Sequence, residues 1–163
     1  MDNLLPPAER IGQFLISRKE TVAIAESSAG GLISAALLSV PGASAYFIGG
    51  TVVYTRTSRG TLLAIPESAL EGIRPSTEAY ARLLAQSARD RLGTSWAIGE
   101  TGATGPAGNR YGDAPGHACL SVVGPSVEAS RTLETGSADR YQNMNAFAAA
   151  ALNLFLEVSR GVD

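Results

Sequence analysis

Cysteine, histidine and lysine are almost missing from this chain: Cys119, His117 and Lys19 are each the sole example. One cysteine excludes an internal disulfide. One cysteine and one histidine together exclude a His/Cys cluster for zinc. A Ser-His-Asp triad would have to use His117, and a Ser-Lys pair would have to use Lys19. His117 stands in GHACLSVVG among apolar neighbours, the setting of a satisfied structural histidine, and Lys19 lies in the polar stretch SRKE, read as a solvated turn. Long apolar runs are missing too. None approaches the roughly 18 residues that mark a membrane span. MDNLLPPAERIGQ has no basic segment before an apolar stretch, so no signal peptide is expected. Basic residues form no cluster and the net charge is -2, so nucleic acid is not an expected partner.

What remains is ordinary for a globular protein: 45% apolar and 17% charged residues in 163. That length suits one domain, residues 1–163, with a core of its own. A reduced, cytoplasmic setting is expected.

The pattern alternates helices and strands. Pro6-Pro7 open a helix over about 7–18, whose Ala8, Ile11, Phe14 and Leu15 share a face. TVAIA (21–25) reads as a buried strand, LISAALLSV (32–40) as a helix stopped by Pro41-Gly42, and YFIGGTVVY (46–54) as a strand with a glycine pair. A short helix follows from about Glu67. The clearest helix runs from Ser76, as cap, to Leu92, with Gly93 as its stop. SWAIGE is a strand leading into a loop over 99–116. HACLSVVG and VEASRTLET pair as a hairpin around Gly124-Pro125, and a helix over about 140–159 closes the chain. Helices between strands, then adjacent strands, imply a three-layer α/β domain with a mixed sheet.

Two stretches carry chemistry. In TVAIAESSAGG (21–31), Ser27 and Ser28 stand at a strand-to-helix turn, the usual place for ligand groups in α/β folds. A serine there either caps the helix, the commoner role, or attacks a carbonyl whose oxyanion the free helix N–H groups would hold. The G-x-S-x-G elbow is not matched. The second stretch, GETGATGPAGNRYGDAPG (99–116), holds six glycines in eighteen residues with Thr101 and Thr104 among them. It is neither a P-loop nor a dinucleotide fingerprint. An anion-binding loop and a plain connector are both open readings.

Together, AESSAGGLISAALLSVPGASAYFIGGTVVYT, LLAIPESAL, PSTEAYARLLAQSARDRLG, TGATGP and the DR at 139–140 resemble the C-terminal domain of the competence/damage-inducible protein CinA, over about residues 8–158. The resemblance implies an α/β/α sandwich, a cytoplasmic location and a dimer. It implies hydrolysis of the carboxamide of nicotinamide mononucleotide (NMN), giving nicotinate mononucleotide and ammonia, with neither metal nor cofactor. Ser27 matches the family's nucleophile. Glu26, Gly30 and Gly31 at the same turn match its substrate side; Ser28, also assigned there, stands in place of the usual cysteine and Ala29 in place of the usual threonine, with N–H groups around 29–31 expected at the oxyanion and Ser28 expected to cap or fill space. Thr101, Gly102, Gly105 and Pro106 match a motif lining the pocket, and Arg140 an arginine expected to face the phosphate. One departure stands out. The family's YSNEAK reads YTRTSR here, so Arg59 stands where the lysine partner of the serine belongs. Arginine stays protonated and makes a poor base, which leaves Tyr54 as a proton relay. A catalytically degenerate nucleotide-binding module is therefore the alternative implied. Ser27 is expected within hydrogen-bond reach of Tyr54 or Arg59, with the 99–116 loop lining the same pocket.

Overall fold

The structure, a computed structural model, describes residues 1–162. Five strands form one sheet in the order β2-β1-β3-β4-β5. They are β1 (Val22–Glu26), β2 (Phe47–Val52), β3 (Trp96–Ala103), β4 (His117–Val123) and β5 (Glu128–Glu134). The first three run parallel, and β4 and β5 are antiparallel to their neighbours. The helices are α1 (Leu5–Arg18), α2 (Leu32–Leu38), α3 (Arg56–Leu63), α4 (Glu78–Leu92) and α5 (Arg140–Ser159).

Two cores lie on opposite faces of the sheet. On one, α1, α2 and α5 cover Ile24, Ile98 and Leu120, with Phe14, Trp96 and Phe155 meeting edge-on and tilted. On the other, Tyr80, Leu84, Ala85 and Ala88 of α4 pack on Ala23, Ala25, Ala97 and Val123, and Leu63 of α3 joins them. All five residues of β1 are buried, as expected for a parallel strand covered on both sides. The three-layer sandwich with a mixed sheet thus stands. No helix among the described residues is long and apolar enough to cross a membrane.

Most elements fall where the sequence puts them, and α5 begins and ends within its expected span. Three differences bear on the site. The stretch after Tyr54 is a helix, α3, that the sequence reading left without structure. It is held by a reciprocal pair in which the Ser58 N–H donates to Thr55 Oγ1 (3.1 Å) and the Thr55 N–H to Ser58 Oγ (3.0 Å). The cap of α4 is Thr77, not Ser76: Tyr80 N–H donates to Thr77 Oγ1. Ser76 instead has φ of 59° and gives its N–H to Thr101 Oγ1 at 3.2 Å. Finally, β3 continues to Ala103, so the first residues of the expected loop are strand.

Candidate active site

From β1 the chain crosses by α2, on one face, to β2; from β2 it crosses by α3 and α4, on the other face, to β3. The two crossovers diverge at the carboxyl end of β1, where open α/β sheets leave a crevice. Ser27 follows directly on β1 and stands at that crevice. Around it lies a cleft of about 570 Å³, walled by Val53 to Thr57, Arg59, Ser76, Tyr80, Thr101, Gly102 and Asn109 to Tyr111. Ser27, Tyr54, Arg59, Thr101 and Gly102 therefore meet in one place, and the 99–116 segment lines it from β3 and from the tip at 109–111. The expected hydrogen bond is absent: among the described residues none joins the Ser27 hydroxyl to Tyr54 or Arg59.

Beneath Ser27 the turn is built on two fully buried carboxylates. Glu26 was expected on the substrate side, but it is internal. Its Oε2 accepts from Ile33 N–H at 3.1 Å, and its Oε1 from the N–H (3.0 Å) and hydroxyl (2.7 Å) of Ser34. It thus caps α2, the task first considered for the serines. Glu100 of β3 accepts at Oε2 from the N–H groups of Ser27 (2.9 Å) and Ala29 (2.8 Å), and its Oε1 takes the Ser28 hydroxyl. The expected oxyanion donor at Ala29 is consequently engaged inside the protein, and the Ser28 hydroxyl faces Glu100 rather than the cleft. Burial raises the Glu100 pKa to about 7; bonds from Ser28, Ala29 and Ser27 oppose the rise and the charge of Glu26 adds to it. A glutamate inside the strand WAIGET was the one legible signal for this group, since a carboxylate in an apolar run requires partners.

The glycines serve packing more than anion binding. A Cβ at Gly99 would meet the backbone of α4, at Ala81 and at Ala85 N (2.8 Å), and one at Gly102 would meet β4 at Ala118 Cα (2.9 Å). Gly30 and Gly31 adopt φ of 68° and 102°, as the turn into α2 requires, and neither lines the cleft. Nor does Gly105, whose carbonyl accepts from Arg140 Nη1 at 2.8 Å. Arg140 touches the cleft only through Tyr54, whose hydroxyl accepts from Nη2 at 3.4 Å.

The charge comes from Arg59, singled out in the sequence, and from two cations that the sequence does not single out, Arg56 and Arg110. Arg56 and Arg59 project from α3 and Arg110 from the loop tip, where it stacks on Tyr111 with its guanidinium 5.1 Å from the ring centre. The loop is tied down by Arg74, whose guanidinium donates to both oxygens of Asp113 at 2.7 and 3.0 Å, and by Asn109, which donates to Ser76 Oγ and Asp113. His117 is the structural histidine anticipated, and Lys19 caps α1 in the left-handed conformation, exposed and outside the cleft lining. Among the described residues no group of three or more His, Cys, Asp and Glu side chains could hold a metal ion.

Similar proteins agree with this architecture. The Escherichia coli CinA-superfamily structure superposes with a TM-score of 0.87 at 21% identity, covering 94% of this chain and 89% of that one. The competence/damage-inducible protein CihA of Agrobacterium tumefaciens superposes at 0.86 with 25% identity, covering 95% and 94%. CinA-like proteins of Chlorobium limicola and Chloroherpeton thalassium are 34% and 35% identical over 88% and 94% of this chain. The chain spans about a third of those relatives' length, 34% and 37%. The model of the CinA C-terminal domain matches residues 5–159, and with nearly every element accounted for by that match, the chain belongs to the CinA C-terminal domain family.

Proposed function

We propose that the cleft binds NMN or a closely related pyridine nucleotide and hydrolyses its carboxamide, with Ser27 as nucleophile. The observation that carries this reading is the placement of Ser27 at the crevice beyond β1, in one cleft with Arg56, Arg59 and Arg110. A hydroxyl at one side and guanidiniums at another suit a ligand with an amide at one end and a phosphate at the other. The Ser27 oxygen bonds to the amide carbon, the C–N bond breaks and ammonia leaves. Water then hydrolyses the ester to nicotinate mononucleotide and frees Ser27. Arg59 cannot accept the serine proton and acts by charge; Tyr54, the hydroxyl in the cleft bonded to Arg140, relays the proton. A cytoplasmic location and a dimeric state belong to the same reading and are checked by fractionation and by sedimentation.

A second reading has its own observation. Among the described residues no titratable side chain bonds the Ser27 hydroxyl, and Arg59 is engaged by Glu67 and Tyr80, so the chain would bind nucleotide without turnover. Ammonia release from NMN separates the two. The first reading expects release by the wild type and a loss of about a thousandfold or more in Ser27→Ala with NMN still bound. Turnover that survives Ser27→Ala removes the serine mechanism, and NMN binding without any turnover selects the second reading.

A further inference from the structure

Arg59 is only 4% exposed. Its Nη2 lies 2.8 Å from Glu67 Oε1, its Nη1 donates to the Tyr80 hydroxyl at 3.2 Å, and its buried Nε has no partner among the described residues. Arg56, one turn earlier on α3, places Nη2 3.3 Å from the other oxygen of Glu67. One carboxylate thus bridges two guanidiniums. The two ends of this bridge are unlike. A buried guanidinium cannot shed its proton and requires an anion, whereas the Glu67 side chain is 66% exposed and sits on a single turn of 3-10 helix, Glu67–Leu70. If another anion took its place, the exposed Glu67 carboxylate would pass into water, while the incoming anion would keep the buried guanidinium paired.

The place is open to such an anion. A recess of about 220 Å³, walled in part by Glu67, Leu70 and Ile73, adjoins the Ser27 cleft and shares Arg56, Arg59 and Arg110 with it. Arg110 donates to the Tyr111 hydroxyl at 2.9 Å and has no carboxylate partner among the described residues. Three guanidiniums therefore line a space that holds one carboxylate. A phosphate monoester carries close to two charges at neutral pH and has three terminal oxygens, so it offers more acceptors to this wall than Glu67 does.

We propose that Glu67 is a built-in competitor: its carboxylate occupies an anion subsite formed by Arg56 and Arg59, and the phosphate-class group of a ligand displaces it. The inference rests on the reading of the cleft as a nucleotide site and adds to it a device that sets affinity and selects for a doubly charged anion over a carboxylate.

The test is calorimetric titration of the wild type, Glu67→Gln, Glu67→Ala and the pair Arg59→Ala and Arg59→Ala/Glu67→Gln, at fixed ionic strength. The probes are inorganic phosphate, NMN and the phosphate-free nicotinamide riboside. Both Glu67 variants should bind phosphate and NMN about fivefold more tightly, which is about 1 kcal/mol, with the riboside unchanged. In the Arg59→Ala background only the exposed Arg56 pair remains, so the gain from Glu67→Gln should fall to about twofold or less. Unchanged or weaker phosphate binding in both Glu67 variants, or no phosphate binding by any form, overturns the proposal. NMN binding that is indifferent to Glu67 overturns it while leaving the nucleotide reading intact; phosphate binding tightened by Glu67→Gln with no NMN binding by any form sustains it and sinks the nucleotide reading instead.

Discussion

Glu100 shows what a single residue contributes under the candidate nucleophile. Its carboxylate fixes two backbone N–H groups and one hydroxyl of the Ser27–Ala29 turn while fully buried. Its pKa, about 7 in the folded chain, lies above the 4.5 of a free glutamate. The folded state therefore holds more protons between those values, and stability falls as pH rises from about 4.5 to about 7. Glu100→Gln keeps an acceptor for Ser27 and Ala29 and a donor for Ser28, and it carries no charge. It should match the wild type near pH 4.5 and exceed it by about 3 kcal/mol above pH 7, by linkage over about 2.5 pH units. Urea unfolding at the two pH values checks this; an equal gain at both would show that ionisation is not the cause. The serine pair was legible as a turn between strand and helix. Its underside was not, because the partners of Ser27 and Ser28 come from β3, more than seventy positions away, and local pattern carries no information about that pairing.

At the scale of elements, the same division between local and distant causes recurs. Strands and amphipathic helices were readable from periodicity, α5 among them, whose start the structure shows capped by Asp139 accepting from Gln142 N–H. Helix α3 was hidden, because TRTSRG offers residues of modest helix propensity with a glycine inside; only the Thr55–Ser58 pair announces its start. Helix α3 bears on the candidate site, since it carries Arg56 and Arg59, which line the cleft. The start of the glycine-rich segment fits neither of its two readings. Gly99 stood at the head of a segment open to two readings, an anion loop or a connector, and it serves neither: it lets α4 approach β3 until no Cβ fits between them. Gly99→Ala must push against the α4 backbone at Ala81 and Ala85, and neither can yield as a side chain would. A destabilisation of about 1–3 kcal/mol is expected, the usual cost of overpacking, read from the urea midpoint. Unaltered stability would show that α4 is less closely seated than described.

The whole molecule brings its ionisable groups into opposed roles, and the balance is measurable. Asp113 is held below the ordinary carboxylate range by Arg74, against the effect of burial, with Asn109 and His117 adding to the fall. Its contribution is present above about 3.8, the value for a free aspartate, and is lost as pH falls through the lower folded value. Glu100 acts in the other direction above about 4.5. His117 joins Glu100 at higher pH. Burial disfavours its charged form, but Nδ1 faces Glu134 and Nε2 the Ser76 carbonyl at 3.0 Å, with Asp113 at 3.9 Å. Both ring nitrogens thus face acceptors, which only the imidazolium can serve as a donor twice, and its pKa rises. The stability this gives is complete below the free value of about 6.5 and disappears as pH climbs through the raised one. One imidazole so placed ties β4 to the end of β5, to the start of α4 and to the loop that carries Arg110. Stability of the wild type should therefore peak on the acid side, near pH 4.5, and decline in two stages, first with Glu100 and then with His117. Glu100→Gln should remove the first stage only, and His117→Gln the second only, leaving the fall below pH 4 in place. Thermal midpoints from pH 3 to 9 for the three proteins decide it: a wild-type maximum at neutral or alkaline pH would show that these three groups do not govern the balance.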